Sequence, residues 1–430
     1  MGKSTKNLKN FYLPIDIIGK WMYNGINQAR GGYAKMKIYA DNAATTKLSE
    51  TALNAMLPYF CEHFGNPSSL YMLGQEAKEA IENARMQIAR CMCAERREIY
   101  FVSGGSEADN QAILTAAEIG KRAGKRHIVT DAIEHHAVLH TLKKLEKNGF
   151  CVTYLPVSQN GFVNPCDVEA AIREDTCLVT VMYANNEIGT IQPIKEIGTI
   201  CREKGVIFHT DAVQAVGHIP IDVKSENIDM LSASSHKFRG PKGIGFLYVR
   251  KGIYPEILIE GGAQERGRRA GTENVPAIVG MAAALSEATE NIKAVADKTS
   301  KMRDRLIQGL CAIPHSALNG DAKNRLPGNI NFCFEGIEGE ALLLLLDDKG
   351  ICASSGSACT SGALDPSHVL LAIGRVHDIA HGSLRLTIDE NLTNEEADYI
   401  ISAVKEAVER LRSFSPVWRD LTDGKAKFIL

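Results

Sequence analysis

From Met36 onward, short apolar runs rich in β-branched residues alternate with stretches whose apolar positions return at helical spacing. The runs at 98–102, 126–130, 177–182, 205–209, 228–232 and 245–249 read as strands. Residues 76–90, 139–147 and 194–204 read as helices, and another is expected from the turn at 103–106 through Ala117. Strands separated by helices predict an α/β fold: a mostly parallel sheet flanked by helices. After about residue 285 the pattern changes. A long charged helix near 283–310 leads to an apolar run at 328–334, a Gly/Ser/Cys-rich loop and a C-terminal helix rich in Glu and Ala. This predicts a smaller α+β C-terminal domain. The expected division is an extension at 1–35 outside the core, a segment at 36–50 packing with the small domain, a large domain at 51–290 and the small domain at 291–430. The longest apolar run, 341–346, ends at Asp347 and Asp348 and is far too short to span a bilayer.

Composition narrows the function classes. Of 430 residues, 45% are hydrophobic and 23% charged, so a sizeable core can form. The 49 basic and 51 acidic side chains give a net charge of −2, and no polybasic run stands out. A small-molecule substrate fits this balance better than nucleic acid or a membrane surface. Eleven cysteines, an odd number at no disulfide-scaffold spacing, point to a reducing compartment. In the first 35 residues Pro14 and Asp16 interrupt any signal-peptide apolar region, and Arg30 is the only arginine. A cytoplasmic location is therefore expected. Cys91 and Cys93 have no second Cys or His pair in reach, so no intrinsic metal site is expected.

Three motifs follow strands and carry chemistry. Ser103-Gly-Gly-Ser-Glu-Ala-Asp-Asn110 places a glycine-rich turn before a helix, where amides and the dipole suit a phosphate; an ordinary N-capped turn is the alternative. His209-Thr-Asp211 offers a carboxylate for a cationic ring nitrogen, or merely a helix N-cap. Ser232-Ala-Ser-Ser-His-Lys237 offers an amine for a carbonyl, or a solvated lysine. A phosphate cradle, an acid and a lysine at the ends of neighbouring strands are the parts a pyridoxal 5'-phosphate site needs. In the small domain, Cys359 lies among Ser, Gly, Ala and Thr with no large apolar neighbours. That setting suits an exposed nucleophile rather than a packed thiol.

Taken with Tyr39-Ala-Asp-Asn-Ala-Ala-Thr-Thr46, Glu134-His-His-Ala-Val138, Asn185-Asn-Glu-Ile-Gly189, Asp211-Ala-Val-Gln214, Gly240-Pro-Lys-Gly-Ile-Gly245, Arg269-Ala-Gly-Thr272 and Ser354-Ser-Gly-Ser-Ala-Cys-Thr-Ser361, these motifs make the chain resemble cysteine desulfurases of the NifS/IscS class. The resemblance runs from about Met36 into the C-terminal helix. It implies a pyridoxal-phosphate enzyme of fold type I that converts L-cysteine to L-alanine and holds the sulfur as a persulfide on Cys359. It further implies that Lys237 binds the cofactor aldehyde and moves protons at the substrate α-carbon. Asp211 would face the ring nitrogen, Gln214 and Asn186 the phenolic oxygen, and His135 the ring, where it would also assist proton transfer. Gly105, Ser106, Ser234, Ser235 and His236 would hold the phosphate end, completed by Thr272 from the partner of a homodimer. Arg385, with Asn186, would bind the substrate carboxylate.

The implied acceptors are sulfur-accepting proteins such as an iron–sulfur scaffold, with a transient iron–sulfur contact at Cys359. Ser106 stands where threonine is also common in the family, residues 1–35 have no counterpart there, and the tail from Ser415 does not match the family's handover segment. Two other functions remain open at this level. One is a selenocysteine lyase or aminotransferase of the same fold; the long Ser/Gly loop favours cluster supply over the lyases. The other is a cofactor-free scaffold for sulfur carriers, which the intact Lys237 and Asp211 oppose.

Overall fold

In the computed structural model, which describes residues 37–355 and 366–430, the apolar runs form the central sheet. The strands in chain order are β1 (Ile38–Tyr39), β2 (Ile99–Val102), β3 (His127–Asp131), β4 (Cys151–Leu155), β5 (Thr176–Thr180), β6 (Ile207–Asp211), β7 (Met230–Ser234), β8 (Gly245–Val249), β9 (Ser316–Leu318), β10 (Asn329–Phe334), β11 (Ile351–Cys352) and β12 (Ser383–Thr387). Seven of them form one sheet in the order β2-β8-β7-β6-β5-β3-β4. Only β8 runs against the rest, pairing antiparallel with both β2 and β7.

The reason for the unbroken apolar runs is burial on both faces. Tyr100, Val102, Leu178, Met230 and Leu247 pack on one side with Ala112 and Ile113 of helix Gly105–Arg122 and Leu142 of helix His136–Lys147. Their neighbours Ile99, Phe101, Val179, Leu231 and Phe246 pack on the other, with Ile81 and Ile88 of helix Met72–Cys91 and Met281 and Leu285 of helix Val275–Glu290. Each fully buried Leu, Ile or Phe contributes about 1.5–3 kcal/mol. The α/β sheet predicted from the alternation is thus the one observed.

Details depart from the predicted pattern. The run at 205–209 becomes a strand only from Ile207, because Gly205 adopts φ +66° and closes helix Ile194–Lys204. The single helix expected near 283–310 is two, Val275–Glu290 and Ile292–Cys311, separated at Asn291 with φ −124°. Edge strand β4 escaped the pattern because it pairs only with β3 and its residues are largely exposed or half-buried.

Beyond the sheet, β12, β10 and β9 form an antiparallel sheet. Its core unites Phe332, Phe334, Leu384 and Leu386 with Leu306, Leu342, Ile400 and Val404 from three helices. The parallel pair β1–β11 brings the chain's first described strand onto this lobe, where Ile38 and Ala40 join the same core.

One buried ion pair fixes the loop that follows β8. Arg85 donates from Nη2 and Nη1 to the two carboxylate oxygens of Glu265, at 2.7 and 2.8 Å, and its guanidinium lies 4.4 Å from the Phe101 ring centre. Glu265 also accepts from the Phe101 amide. Glu265 and Arg266 both have left-handed backbones, φ +46° and +59°, which non-glycine residues adopt only when neighbours enforce it. Arg85→Ala strands a buried carboxylate and is expected to cost about 3–5 kcal/mol in urea unfolding. Adding Glu265→Ala to that variant should cost much less than Glu265→Ala does alone.

Candidate active site

Six strands of the large sheet point the same way, and the predicted chemistry gathers where they end. After β2 the chain turns into helix Gly105–Arg122, so the first amides of that helix face the cleft. A Cβ at 105 would lie 2.6 Å from Cγ2 of Val213 in the turn after β6, so any side chain there must displace Val213. A cleft of about 390 Å³ opens over this turn, lined by Thr45, Ser103, Gly104, Gly105, Ser106, Glu107, Ser234, His236, Lys242 and Gly243. Gly105, Ser106, Ser234 and His236 were named from sequence. Thr45 and Lys242 were not assigned, although both sit inside motifs quoted for the resemblance. His236 Nδ1 is 3.1 Å from the Thr45 hydroxyl, and burial beside Lys237 and Lys242 pushes its imidazole down to about 4, so it is neutral at pH 7. Ser235 falls outside the cleft: it is fully buried, and its Oγ lies where Gly240 would carry a Cβ. Thr272 lies outside it too, lining a separate space of about 80 Å³ together with Ser103 and Arg269.

Asp211 ends β6 and is buried, with Oδ1 accepting from the Val213 amide at 2.9 Å. Burial raises its carboxyl pKa, while His135, the Val213 amide and Lys237 oppose that rise. His135 caps helix His136–Lys147; its Nδ1 accepts from the Ala137 amide, so the neutral ring carries its proton on Nε2. Donor atoms of Asp109, His135 and Asp211 all lie within 4.8 Å of one another. Lys237 closes the short turn after β7, and its Nζ donates to the carbonyls of Ala43 and Ala44 at 2.5 and 2.9 Å. Gln214 Nε2 donates to the same Ala43 carbonyl.

Of the two adjacent asparagines, Asn185 is buried and occupied with the turn, accepting from the Glu187 and Ile188 amides. Asn186 is half-buried, and its carbonyl accepts from Arg385 Nη1. Arg385, on β12, is buried and paired to Asp41 at 2.9 Å, while its Nε has no hydrogen-bond partner among the described residues. Asp41 and Glu187 are site residues that sequence reasoning missed. Burial lifts the Glu187 carboxyl to about 7 against the pull of Ser367, Arg385 and His135, and Ser367 donates to it at 2.5 Å.

Cys359 lies outside the described residues. Those on either side of it are informative. Ser354 bridges Arg385, and Ser367 is bonded to Glu187, so the chain leaves and rejoins the described fold at this site. The residues present fit a phosphorylated pyridine aldehyde: helix amides and Lys242 for the phosphate, a buried carboxylate for the ring nitrogen, and a lysine amine for the aldehyde. Gly105→Ala drives a methyl group into Val213. An overpacking cost of about 1–3 kcal/mol should weaken pyridoxal phosphate binding about tenfold or more, as read by absorbance titration of the cofactor-free protein.

The aminotransferase class-V family model matches residues 38–400. A cysteine desulfurase IscS from Methanosarcina thermophila is 56% identical over 380 residues, covering 88% of this chain and 94% of that protein. One from Clostridium botulinum (strain Hall) is 53% identical over 392 residues, covering 90% and 98%. Among solved structures, a NifS-like protein superposes with a TM-score of 0.82 at 39% identity, covering 87% of this chain and all of that one. SspA in complex with cysteine superposes at 0.73 with 37% identity, covering 83% and 100%.

Proposed function

Because the chain belongs to the aminotransferase class-V family and, within it, to the pyridoxal-phosphate-dependent cysteine desulfurases, we propose that the residues at the strand ends carry the conversion of L-cysteine to L-alanine and hand the sulfur to Cys359. The observation that carries this assignment is the convergence of Lys237, Asp211, His135 and the Gly105 turn at one end of one sheet, with both flanks of the Cys359 segment rooted beside Arg385 and Asn186.

Bound there, pyridoxal phosphate supplies an electron sink for the pair released when the substrate α-proton leaves. Lys237 is the amine that ties the cofactor aldehyde to the chain and then carries the α-proton. Asp211 keeps the ring nitrogen protonated, Gln214 and Asn186 serve the phenolic oxygen, and His135 covers the ring and assists proton transfer. The Gly105 amide, Ser106, Ser234 and His236 hold the phosphate. Arg385 takes the substrate carboxylate, for which its Nε is the available donor. The Cys359 thiolate attacks the substrate sulfur, the carbon–sulfur bond breaks with its pair passing to the carbon, and a proton delivered there gives alanine. One cysteine thiol and one free cysteine become one persulfide and one alanine. No net oxidant is required.

The active form we propose is a homodimer. Leu57, Phe60, Phe64, Leu70, Tyr71 and Met72 are 54–94% exposed within one short stretch, an apolar surface of the kind that subunits cover. Thr272 does not reach the phosphate cleft of its own subunit, which suits donation to the partner's. Ten free thiols among the described residues support a reducing, cytoplasmic setting. Sulfur-acceptor proteins such as an iron–sulfur scaffold are the onward partners. No helix among the described residues is long and apolar enough to cross a membrane. The division into a large domain at 51–290 and a small domain at 291–430, with 36–50 on the small one, completes the proposal.

Incubation with L-cysteine should add the mass of one sulfur to the Cys359 peptide, and Lys237→Ala should abolish that gain. Cys359→Ala should keep the cofactor's absorbance yet lose sulfide release by about a thousandfold or more. Full activity in that variant would identify an aminotransferase or β-lyase of the same fold instead. Sedimentation equilibrium should give twice the chain mass; a monomer would remove Thr272 from the site.

A further inference from the structure

Directly behind Asp211 lies a side chain that the reaction as described does not use. Asp109 is on helix Gly105–Arg122, one turn past the phosphate-facing amides, and is only 1% exposed. Its Oδ1 has no hydrogen-bond partner among the described residues, and no lysine or arginine pairs with it there. The groups facing it are nearly all acidic or neutral. Asp211 lies within 4.8 Å, as does the His135 ring. His209 Nε2 is 3.7 Å away, but that ring is bonded to Thr180 on one side and Ser232 on the other. Complete burial pushes the His209 imidazole down to about 3, so it supplies no positive charge. Glu134, fully buried and close enough to repel both Asp109 and Asp211, has no partner for either carboxylate oxygen among the described residues, and the buried Asp131 lies next to it.

Two buried carboxylates this close cannot both ionise without a cation, because each raises the other's affinity for a proton. Asp211 has Lys237, His135 and the Val213 amide favouring its charge. Asp109 has burial and Asp211 acting against its own, with only the Ser232 hydroxyl favouring it. The asymmetry decides which of the pair keeps the proton.

We propose that Asp109 is a positioning residue for the ring-nitrogen carboxylate: it stays protonated beside Asp211, so that Asp211 is the ionised member of the pair. This deepens the reading of Asp211 given above and rests on it. A neutral Asp109 fills the space behind Asp211 with a polar group that neither competes for the ring nitrogen nor repels the carboxylate. The same proton makes the folded protein sensitive to pH even without cofactor. A carboxyl that binds its proton more tightly when folded contributes stability that is fully present below its unfolded pKa of about 4 and is lost as pH rises through the folded value.

The test uses the full-length, cofactor-free protein and the variants Asp109→Asn and Asp109→Ala. Asparagine reproduces the shape of the protonated acid without its titration. Thermal unfolding should therefore show Asp109→Asn matching the parent near pH 4 and melting about 2–4 °C higher at pH 8. Asp109→Ala leaves a cavity and lowers the melting temperature throughout, but its pH slope should flatten in the same way. Pyridoxal phosphate titration at pH 8 should show Asp109→Ala binding about tenfold more weakly, with Asn restoring most of the loss. Unchanged pH slopes in both variants, or an Asn variant as weak as Ala, would show that Asp109 is ionised or merely structural and overturn the proposal. Asp211→Asn is the separate control. If it binds the cofactor as tightly as the parent, the assignment of Asp211 to the ring nitrogen fails, whatever the Asp109 slopes show.

Discussion

Six consecutive residues, Asp41–Thr46, hold the lobes and the site in one arrangement. On the small-lobe side, Asn42 is bonded through its amide and side chain to the Thr387 carbonyl, the Ala43 amide donates to the Thr387 hydroxyl, and Asp41 pairs with Arg385. On the large-domain side, the carbonyls of Ala43 and Ala44 receive Lys237 Nζ, Gln214 donates to Ala43, and Thr46 is bonded twice to the His236 carbonyl and once to the Arg239 amide. On the strap's own side every bond is made by backbone or a short polar side chain, so the strap has little freedom to stretch. The arginine assigned to the substrate carboxylate and the lysine assigned to the aldehyde are set relative to each other through this one strap.

That strap also shows what a sequence can and cannot reveal. Its composition, Asp-Asn-Ala-Ala-Thr-Thr, has no apolar period, and its partners are 171 to 345 positions away along the chain. Only the family resemblance marked it, and the resemblance assigned it no role. The sheet was far more legible, since a strand buried on both faces must be apolar at every position. Strand ends were less so: Gly205 had to be seen as a left-handed helix cap before β6 could be moved to end at Asp211. The reversed direction of β8 follows from a connection of ten residues, 235–244, too short for the crossover that a parallel strand requires.

Within the site, sequence reading anticipated position best where one residue type stands at one strand end. A lysine after a buried strand and an acid at a strand end fall into this group. It worked less well where neighbours in a motif divide the labour. Asn185 builds a turn while Asn186 stays half-open. Ser234 lines the cleft over the Gly105 turn while Ser235, one position on, turns its hydroxyl toward Gly240. Glu187 sits in a quoted motif, yet its bond to Ser367 spans 180 positions and no local pattern announces it.

Charge is distributed along the site in one direction. The phosphate end has the positive end of helix Gly105–Arg122, the Lys242 amine and hydroxyls of Thr45, Ser106 and Ser234. The opposite end has Asp211, buried and backed by the buried acids Asp109 and Glu134. Inside a protein, two unit charges 4 Å apart interact by about 4 kcal/mol, so such a gradient discriminates strongly between orientations of a dipolar guest. A ring with a phosphate at one end and a protonated nitrogen at the other would match it in one direction along this axis. On the proposed reading, the acids that would destabilise an ordinary core are the same groups that would orient the cofactor, and a proton held by one of them lowers their cost.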